Sequence, residues 1–292
     1  MAKNWGNALM YAGFDVPINK RQFDILCPFH HDRTPSLSIS LDKEVWICHS
    51  GCGSGRLSSF LSKFLDISLI QAEHLASSNG TEQMVLLFED AIDDDLPLSL
   101  VDFPFESNKV PNWIFDRGFT SEILRQWMCG YDRTEGSLVL PVHDEGNNIV
   151  GWIKRRPQGL FPKYLYGPLG IFKKSKVVFG LNKIDHKKDF ICVTEGALDT
   201  IWLTQNGLSS VALLGIYLSQ RQEKLLSKLT CGEIVLCLDN DSAGQSGTAE
   251  IAPRLSKYFV VSKINIPLQY KDVQDVRDQN ALMEIIDSRV LF

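Results

Sequence analysis

Two short cysteine and histidine motifs near the N-terminus restrict how this chain can fold. Cys27 and His30 are separated by two residues, and Cys48 and Cys52 are separated by three. The 17 residues between the two pairs lie in the range that zinc ribbons use. Each pair fits a tight turn, and two such turns brought together would supply three thiolates and one imidazole to a tetrahedral ion. The spacing therefore predicts a closed, structural Zn²⁺ site.

Two further histidines leave the choice of one ligand open. His31 and His49 directly follow His30 and Cys48, and His49 would be separated from Cys52 by two residues. We prefer Cys48 to His49 because thiolates are the commoner ligands of structural zinc. Cys48 also follows directly on the apolar sequence VWI, which predicts a strand. The third zinc ligand is therefore Cys48 or His49, with Cys48 favoured.

Cysteine usage and hydropathy bear on the cellular compartment. The chain has seven cysteines, an odd number that fits a disulfide framework poorly, so a reducing environment is expected. No apolar run approaches the about 20 residues that a membrane helix needs, so no membrane partner is expected. The first residues, MAKNWGNALMYAG, are not typical of a signal peptide. We therefore predict a cytoplasmic protein.

Charge is distributed unevenly along the chain, although the formal net charge is only −5. Residues 82–106 contain eight acidic side chains and no lysine or arginine. Residues 154–188 contain ten basic side chains and one acidic one. The acidic, proline-punctuated stretch is typical of a solvated linker, whereas the basic stretch would suit a phosphate backbone.

The order of strands and helices predicts a multidomain chain of mixed α+β and α/β class. From residue 188 onward, apolar strands alternate with helical segments, which favours a mostly parallel α/β sheet. Short strands and glycine or proline turns precede it, including a hairpin in SLVLPVHDEGNNIVGWIKRR. We predict a zinc-binding domain at 1–78, an acidic linker at 79–110, a mixed α/β basic subdomain at 111–187 and an α/β domain at 188–292.

Acidic residues stand near the ends of three successive strands in the C-terminal part. Glu195 follows FICVT, and Asp239 and Asp241 follow IVLCL. Asp272 comes after the next strand, KINIP. Asp239 and Asp241 are two residues apart, so they can face the same point. Carboxylates at the carboxyl ends of parallel strands repel one another unless a cation lies between them, and oxygen ligands suit Mg²⁺ or Mn²⁺.

Both parts of the chain resemble one protein family. The zinc-binding domain of DnaG-type primases resembles the segments CPFHHDRTPSLSIS and VWICHSGCGSGRLSSF, although that family usually has two residues between the second pair of cysteines. The TOPRIM domain of the same family resembles TEGALD, LDNDSAG and KDVQD. Its third motif usually reads acidic-proline-acidic, so the sequence leaves open whether Asp272 or Asp275 faces a metal.

The resemblance continues between these segments. The start of the DnaG polymerase domain resembles NWIFDRGFTSEILRQWMCGYD, and its basic subdomain resembles LVLPVHDEGNNIVGWIKRR and PKYLYGP. A stretch inside its TOPRIM domain resembles LLGIYLSQRQ, and the match covers about 1–75 and 111–285 in collinear order. The motifs TEGALDT and LDNDSAG also look like the primase halves of phage primase–helicases, without a GxxxxGK[ST] motif or helicase half. The chain thus resembles a stand-alone phage or mobile-element primase.

This resemblance implies synthesis of RNA primers on a single-stranded DNA template during DNA replication. A 3′-hydroxyl would attack the α-phosphate of the next NTP, with Mg²⁺ or Mn²⁺ assisting. Asp239 and Asp241 are the implied metal ligands, and Glu195 is either a third ligand or the general base. Gly196 would let a phosphate approach the backbone. The implied partner is a separately encoded replicative helicase, and the implied location is the host cytoplasm if a phage encodes the chain.

Further residues beside these motifs are candidates for metal and nucleotide contacts. Asp272 would join the metal ligands, and Lys271 beside it would contact the nucleotide. Asp199 stands one helical turn after Glu195. It is equally well explained as part of the site or as a first-turn aspartate that the helix dipole favours.

Template contacts are expected from the basic region and from one tryptophan. Arg155, Arg156 and Lys163 lie in segments that match the basic motifs of the family, and arginine offers a bidentate fork to phosphate. Tyr164 would stack on a base or pack in the core. Trp46 would likewise stack on a template base or cover the zinc site.

Two other function classes are compatible with parts of the sequence. A TOPRIM-type metal-dependent nuclease would not need the zinc ribbon, and a topoisomerase-like enzyme would need a nucleophilic tyrosine in another large domain. A non-catalytic zinc-bearing accessory protein that binds single-stranded DNA would be expected to have broken acidic motifs, and these are intact. The primase interpretation is therefore preferred.

Overall fold

The computed structural model describes residues 3–12, 14, 16–17, 20–30, 34–65, 69, 72–73, 76, 98, 100–107, 109–160, 163–168 and 171–292. Most of the predicted acidic linker, and also His31, lies outside these residues. The chain divides into two compact units. The first comprises Met1–Ile92, Arg133–Ser137 and Lys154–Leu165, and the second comprises Asp93–Asp132, Leu138–Ile153 and Tyr166–Phe292.

A four-stranded antiparallel sheet lies in the first unit, and its strands are neighbours in chain order. The strands are β1 (Gln22–Ile25), β2 (Leu37–Ser40), β3 (Val45–Cys48) and β4 (Gly53–Arg56), with helix α1 (Trp5–Tyr11) before them and α2 (Leu57–Leu65) after them. Exposed and buried side chains alternate along β1 and β3, because successive residues of a strand point to opposite faces. One face of the sheet is therefore apolar.

Aromatic rings form the core beneath this apolar face. The ring of Phe60, on α2, lies 5.4 Å from that of Trp46 and 5.6 Å from that of Phe29, measured between centroids. Phe14 adds a further ring at 5.3 Å from Phe60. A core of this size buries little apolar surface, and small domains of this kind usually depend on a metal for stability.

A second sheet has five strands, again in chain order. They are β5 (Glu106–Ser107), β6 (Gly130–Asp132), β7 (Ser137–His143), β8 (Ile149–Arg155) and β9 (Tyr164–Gly167), and the short helices α3 (Trp113–Asp116) and α4 (Ser121–Gln126) separate β5 from β6. The predicted hairpin is confirmed as β7 and β8. In its turn, Asp144 Oδ1 accepts a hydrogen bond from the N–H of Asn148 at 2.9 Å. Asn147 has φ 64°, the left-handed conformation that tight hairpin turns use.

The C-terminal sheet confirms the predicted α/β architecture. Its spatial order is β11 (Ser210–Ala212), β10 (Phe190–Thr194), β12 (Glu233–Cys237), β13 (Val260–Lys263) and β14 (Val290–Leu291). The first four are parallel, and β14 pairs antiparallel with β13. The connecting helices are α5 (Ala197–Gln205), α6 (Gln220–Leu226), α7 (Ser242–Leu255) and α8 (Gln279–Asp287).

The strand order creates a crevice at one edge of this sheet. The chain leaves β10 toward β11 on one side and later returns to β12 on the other, so strand order reverses beside β10. Ligands of open α/β sheets bind at such a reversal, outside the carboxyl ends of the strands. The interiors of β10 and β12, which include Ile191, Val193, Ile234 and Leu236, are fully buried and apolar. Polar chemistry is therefore confined to the ends of these strands.

Within the described ranges, none of the helices combines the length and apolar character that a membrane span requires.

Candidate metal centres

The two N-terminal motifs converge on one point. Cys27, Cys48 and Cys52 each bring a sulfur atom, and His30 a ring nitrogen, to within 4.8 Å of one another. We call these four residues the Cys3His cluster. His30 Nδ1 lies 3.0 Å from Cys52 Sγ and 3.8 Å from Cys48 Sγ. Donors around one tetrahedral Zn²⁺ would be separated by roughly 3.5–4 Å, so the donor set and its spacing fit zinc.

Backbone amides hold the cysteine thiols on their turns. The N–H of Phe29 donates to the Cys27 thiol, and the N–H groups of Ser50 and Cys52 donate to the Cys48 thiol. Burial raises the pKa of Cys48, but these amides, together with hydrogen bonds from the side chains of Cys27 and Ser36, outweigh this effect and bring the pKa to about 7. Cys48 is therefore easily deprotonated, as a metal-binding thiol must be.

The structure distinguishes Cys48 from His49. His49 Nε2 lies 2.9 Å from the hydroxyl of Ser38, and that hydroxyl donates to Asp24 at 2.6 Å. His49 therefore interacts with neighbouring strands and is not part of the Cys3His cluster. This geometry favours Cys48 as the third ligand.

Trp46 lies in the aromatic core of the first unit rather than on its surface. Its side chain is only 4% exposed, and its indole N–H donates to the hydroxyl of Ser59 at 3.1 Å. A Cβ atom at Gly53 would lie 3.2 Å from the Trp46 ring, so the turn that carries the second cysteine pair packs directly on it. Burial supports the expectation that Trp46 covers the zinc site. It does not support stacking on a template base.

Lys63 connects the two turns that carry the zinc-ligand pairs. The sequence did not indicate this role, because Lys63 belongs to none of the motifs. Its ammonium donates to the carbonyl oxygen of Cys52 at 3.1 Å. The same ammonium lies 4.4 Å from the ring centroid of Phe29, which stands between the ligands of the first pair. Three thiolates around one Zn²⁺ carry a formal charge of −1, and Lys63 would offset it.

The predicted carboxylates meet at the carboxyl end of the C-terminal sheet. Glu195 directly follows β10, and Asp239 stands just beyond β12. Burial raises the pKa of Glu195 to about 7, and the negative charges of Asp239 and Asp241 add to this effect. Since the interaction between charges weakens with distance, these effects indicate that the carboxylates lie in the same region. We call Glu195, Asp199, Asp239, Asp241 and Asp272 the acidic cluster.

Two contacts fix the backbone at Glu195. The hydroxyl of the preceding Thr194 lies 2.7 Å from that of Thr200 and 3.1 Å from the carbonyl oxygen of Gly196. The carbonyl oxygen of Glu195 accepts a hydrogen bond from the N–H of Gly215 at 3.2 Å. Glu195 therefore occupies a rigid position between the end of β10 and the start of α5.

The start of α7 determines how the two central aspartates are presented. Asp241 caps this helix, because its Oδ1 accepts a hydrogen bond from the N–H of Gly244 at 2.9 Å. A Cβ atom at Gly244 would lie 2.1 Å from the carbonyl oxygen of Asp239. Only glycine permits this approach, which gives the last residue of LDNDSAG a steric role.

Asn240, between the two aspartates, joins two loops of the site. Its N–H donates to the carbonyl oxygen of Lys271 at 2.7 Å. Its side-chain amide donates to the carbonyl oxygens of Ile266 at 3.0 Å and Tyr270 at 3.2 Å. Asn240 therefore holds the loop after β13 against the loop after β12. Its position inside the DND motif was the available signal, but the sequence did not show this contact.

Asp272 and Asp275 differ in burial, which bears on the alternative left open above, although the carboxylate of each accepts a hydrogen bond from its own loop. Asp272 Oδ1 accepts from the N–H of Asp275 at 2.9 Å. Asp275 is exposed, and its Oδ2 accepts a hydrogen bond from the N–H of Lys271 at 3.1 Å, so it folds back on its own loop. Asp272 is partly buried. Burial raises the pKa of Asp272, and the charges of Asp275 and Asp239 add to it. The proximity to Asp239 favours Asp272 as the residue that faces a metal.

Asp199 belongs to the acidic cluster. Burial holds the pKa of Asp199 well above its usual range. Other members of the cluster add to this effect, namely Asp272, Asp239 and Glu195. The geometry favours a role in the site over a purely helix-dipole role. A Cβ atom at Gly196 would lie 2.6 Å from Asp199 Oδ2, so Gly196 provides space for this carboxylate. The approach of a phosphate at Gly196 stays a prediction.

Two lysines flank the acidic cluster. Lys271 Nζ lies 2.8 Å from Asp239 Oδ2. Burial lowers the pKa of Lys271, but the hydrogen bond with Asp239 and the negative charges of Asp239, Asp272 and Glu195 together outweigh burial, so the pKa lies above its ordinary value. Burial lowers the pKa of Lys174, which is close enough to Glu195 for that carboxylate to oppose the shift. The sequence predicted a role for Lys271, whereas only the fold brings Lys174 to the site.

Helix α6 holds the segment that carries Lys174. Gln222 is fully buried, and its side-chain amide donates to the carbonyl oxygens of Leu213 at 2.8 Å and Lys174 at 3.2 Å. Ser219 Oγ donates to the carbonyl oxygen of Ser175 at 2.6 Å. Ser219 and Gln222 also form a capping box at the start of α6. The LSQRQ segment therefore serves to position a basic turn.

The template contacts expected in the basic region differ in accessibility. Arg155 and Arg156 are buried, with 8% and 3% exposed. Arg155 Nη1 donates to the carbonyl oxygen of Arg156, and Arg156 Nη2 lies 3.3 Å from Glu135 Oε1. The expected phosphate contacts of these two arginines are therefore not supported. Lys163 is exposed, and its ammonium lies 5.9 Å from the ring centroid of the half-buried Tyr164.

Known protein families match the regions that contain both clusters. The family model described as CHC2 zinc finger matches residues 15–86, and the model described as Toprim-like matches residues 192–277. The DNA primase of Clostridium acetobutylicum is 27% identical, covering 92% of this chain and 54% of that protein. The DNA primase of Thermotoga maritima is 26% identical, covering 86% and 53%. The chain is a homologue of the DnaG-type primases. It spans about half the length of the curated primases that it matches.

Solved primase structures have the same fold. The Aquifex aeolicus primase structure, which contains zinc-binding and RNA polymerase domains, matches with a TM-score of 0.54 and 24% identity, over 97% of this chain and 83% of that chain. The DnaG catalytic domain bound to single-stranded DNA matches with a TM-score of 0.53 and 18% identity, over 61% and 71%. The resemblance to DnaG-type primases is therefore confirmed. The phage or mobile-element origin stays a prediction.

Loss of a ligand from the Cys3His cluster should release zinc. Wild-type protein should contain one zinc per chain by elemental analysis, and Cys27→Ser should contain less. Because metal binding supplies folding energy to small zinc domains, amide hydrogen exchange should accelerate within the first unit. Cys231→Ser, which changes a cysteine outside the cluster, should retain the metal. If elemental analysis finds no zinc in freshly purified wild-type protein, the zinc assignment is contradicted.

Metal-free protein should lose stability as the pH rises through 7. Glu195 has a pKa of about 7 in the folded chain against an ordinary value of 4.5. Between pH 4.5 and pH 7 the folded state binds a proton on Glu195 that the unfolded state has lost. The contribution of this proton to stability is therefore complete below pH 4.5 and is lost above pH 7. The expected decline is on the order of 2–3 kcal/mol. Chemical denaturation in EDTA between pH 4 and 8 should show a smaller decline for Glu195→Gln, and equal profiles would contradict the expectation.

Proposed function

We propose that this chain is a DNA primase that synthesises short RNA primers on single-stranded DNA. The observation that carries the proposal is the acidic cluster at the point where strand order reverses, flanked by Lys174 and Lys271. The Cys3His cluster in the same chain adds support. A Toprim-type nuclease would not need that cluster, and a non-catalytic accessory protein would not need intact acidic motifs. Curated relatives that carry the name DNA primase support the same choice.

The two clusters suit different metals. Soft thiolates and one imidazole favour Zn²⁺ in a closed, structural role. The acidic cluster offers only oxygen donors, which favour Mg²⁺ or Mn²⁺. Its raised pKa values fit this interpretation, because carboxylates that repel one another gain most from a shared cation.

Within the acidic cluster, the residues would have different roles in metal binding and proton transfer. When bound, the divalent ions would neutralise phosphate charge and lower the pKa of the attacking 3′-hydroxyl. Asp239, Asp241 and Asp272 would hold these ions. Glu195 can accept a proton on its carboxylate near neutral pH because its pKa is about 7, which suits a general base. Glu195 would otherwise serve as a further ligand.

Basic residues around the cluster would bind phosphate. Lys174 and Lys271 lie beside the carboxylates and would contact the triphosphate of the incoming NTP. Lys271 Nζ donates a hydrogen bond to Asp239 Oδ2, so a bound phosphate would compete with that contact. Exposed Lys163 and half-buried Tyr164 are the accessible candidates for the template strand.

The proposal extends to domain roles and partners. The zinc-binding domain (1–78) would read the template. The acidic linker (79–110) would connect it to the basic subdomain (111–187) and the α/β domain (188–292), which together would join nucleotides. Single-stranded DNA and NTPs are the proposed substrates. A separately encoded replicative helicase is the proposed partner, and the cytoplasm is the proposed location.

Asp239→Asn and Asp241→Asn should each abolish primer synthesis. Each substitution keeps the side-chain size but removes a negative charge that would hold a divalent ion. Losing this charge neutralisation should reduce the rate by ~10³-fold or more. The measurement is incorporation of labelled NTPs into short RNA on single-stranded DNA with Mg²⁺ or Mn²⁺. Glu195→Gln should be comparably severe.

A matched control comes from the loop after β13. Asp275→Asn changes an exposed carboxylate that folds back on its own loop, so it should reduce the rate much less than Asp272→Asn. Zinc content should stay at the wild-type value in all variants, and circular dichroism should show that each variant is folded. Near wild-type synthesis by both Asp239→Asn and Asp241→Asn would refute the catalytic assignment, and cleavage of the template without RNA products would favour a nuclease.

A further inference from the structure

The loop that carries Asp272 has no regular secondary structure, so something else must hold it in place. This loop runs between β13 and α8. Gln274 stands two residues after Asp272 and is completely buried, with 0% exposed. Its side-chain carbonyl accepts a hydrogen bond from Arg117 Nη2, and its side-chain N–H donates to the backbone carbonyl of Arg117 at 3.1 Å. Gln274 is therefore bonded at both ends to one residue.

Arg277 adds a second attachment to the same place. Its Nη1 donates to the carbonyl oxygen of Arg117, which therefore accepts from two side chains of the loop. The guanidinium of Arg277 lies 5.2 Å from the ring centroid of Trp202, on α5. A Cβ atom at Gly118 would lie 2.8 Å from Arg277 Nη1. Gly118 also has φ +81°, so a glycine is needed at this contact for two reasons.

Arg117 and Arg277 also place positive charge beside the acidic cluster. Burial raises the pKa of Asp199, and the charge of Arg117 acts in the opposite direction. Burial and Arg117 lower the pKa of Arg277, whereas Asp275 and Asp272 raise it. Both guanidinium groups are thus close to the carboxylates. They bond to Gln274 and to a backbone carbonyl, so they offset the negative charge without covering the carboxylates.

We propose that Arg117, Gln274 and Arg277 form a clamp that positions Asp272 for metal binding. The clamp members are positioning residues, since they act through Asp272. A buried amide that is bonded at both ends has one allowed orientation, and this fixes the backbone two residues away. The inference rests on the proposed role of the acidic cluster in binding divalent metal. It also explains why the RGF segment before α4 matters to a site formed by a distant part of the chain.

The test is Mn²⁺ binding to the full chain, measured by isothermal titration calorimetry. Gln274→Met keeps a similar shape but removes both hydrogen bonds, and it should weaken Mn²⁺ binding by about tenfold or more, as outer-shell substitutions do at other metal sites. Gln269→Met makes the same change at an exposed position of the same loop and should leave binding unchanged. Wild-type affinity in Gln274→Met would overturn the clamp.

A double-mutant cycle separates positioning from a general structural effect. In an Asp272→Asn background, Gln274→Met should cause no further loss, because its effect passes through Asp272. Equal losses in both backgrounds would overturn the proposal. Thermal unfolding in EDTA shows whether each variant is folded. If Gln274→Met does not fold, Arg277→Met, a substitution at an exposed residue, takes its place in the same cycle. The expected outcome is the same.

The outcomes also separate this inference from the proposed function. If Asp272→Asn binds Mn²⁺ as the wild type does, the clamp has no metal ligand to position and is overturned, while a site formed by the other carboxylates stands. If the wild type binds Mn²⁺ through Asp272 and the clamp but makes no primers, the clamp is supported and the proposed primase activity is contradicted.

Discussion

Repulsion among carboxylates is the constraint that organises the C-terminal half of this structure. Groups that must share a cation have to stand close together, and without the cation their charges oppose folding. Burial is the main cause of the raised pKa values of Glu195 and Asp199, and repulsion from the neighbouring carboxylates adds to it. Lys271, Lys174 and Arg117 lie around the cluster and offset it from several directions. The surroundings thus stabilise an arrangement that the acidic residues alone would oppose.

Amide side chains, two of them buried and one half-buried, solve a second problem, which is how irregular loops keep a fixed shape. Loops lack the hydrogen-bond ladders of helices and strands, so their carbonyl groups need other donors. Asn240, Gln222 and Gln274 provide them, each donating to backbone carbonyls of a neighbouring segment. One of these segments carries Lys174 and another carries Asp272. The functional groups therefore stand on loops, but these loops are held almost as firmly as regular elements.

The N-terminal unit depends on a different balance. Its sheet has four short strands, and its core combines aromatic rings with aliphatic side chains such as Leu37 and Leu61. A metal bound by the Cys3His cluster would add to the cohesion of this small domain. Trp46 packs against the turn that carries Cys52, and Lys63 bonds that turn while lying over Phe29. Metal site and hydrophobic core are thus neighbours, and each would weaken if the other were lost.

The sequence by itself determined the zinc-type cluster and the α/β sheet with acidic strand ends, because ligand spacing and strand periodicity are local properties. The sequence did not show whether Trp46, Arg155 and Arg156 are accessible to a template. Their residue types suit contacts with nucleic acid, but the tertiary structure buries them. The tertiary structure, and not the sequence, favours Asp272 over Asp275, because Asp272 is partly buried near the charge of Asp239 whereas Asp275 is exposed. It alone also brought distant parts of the chain to the acidic cluster, because charge proximity and burial depend on contacts between segments that the chain order does not reveal.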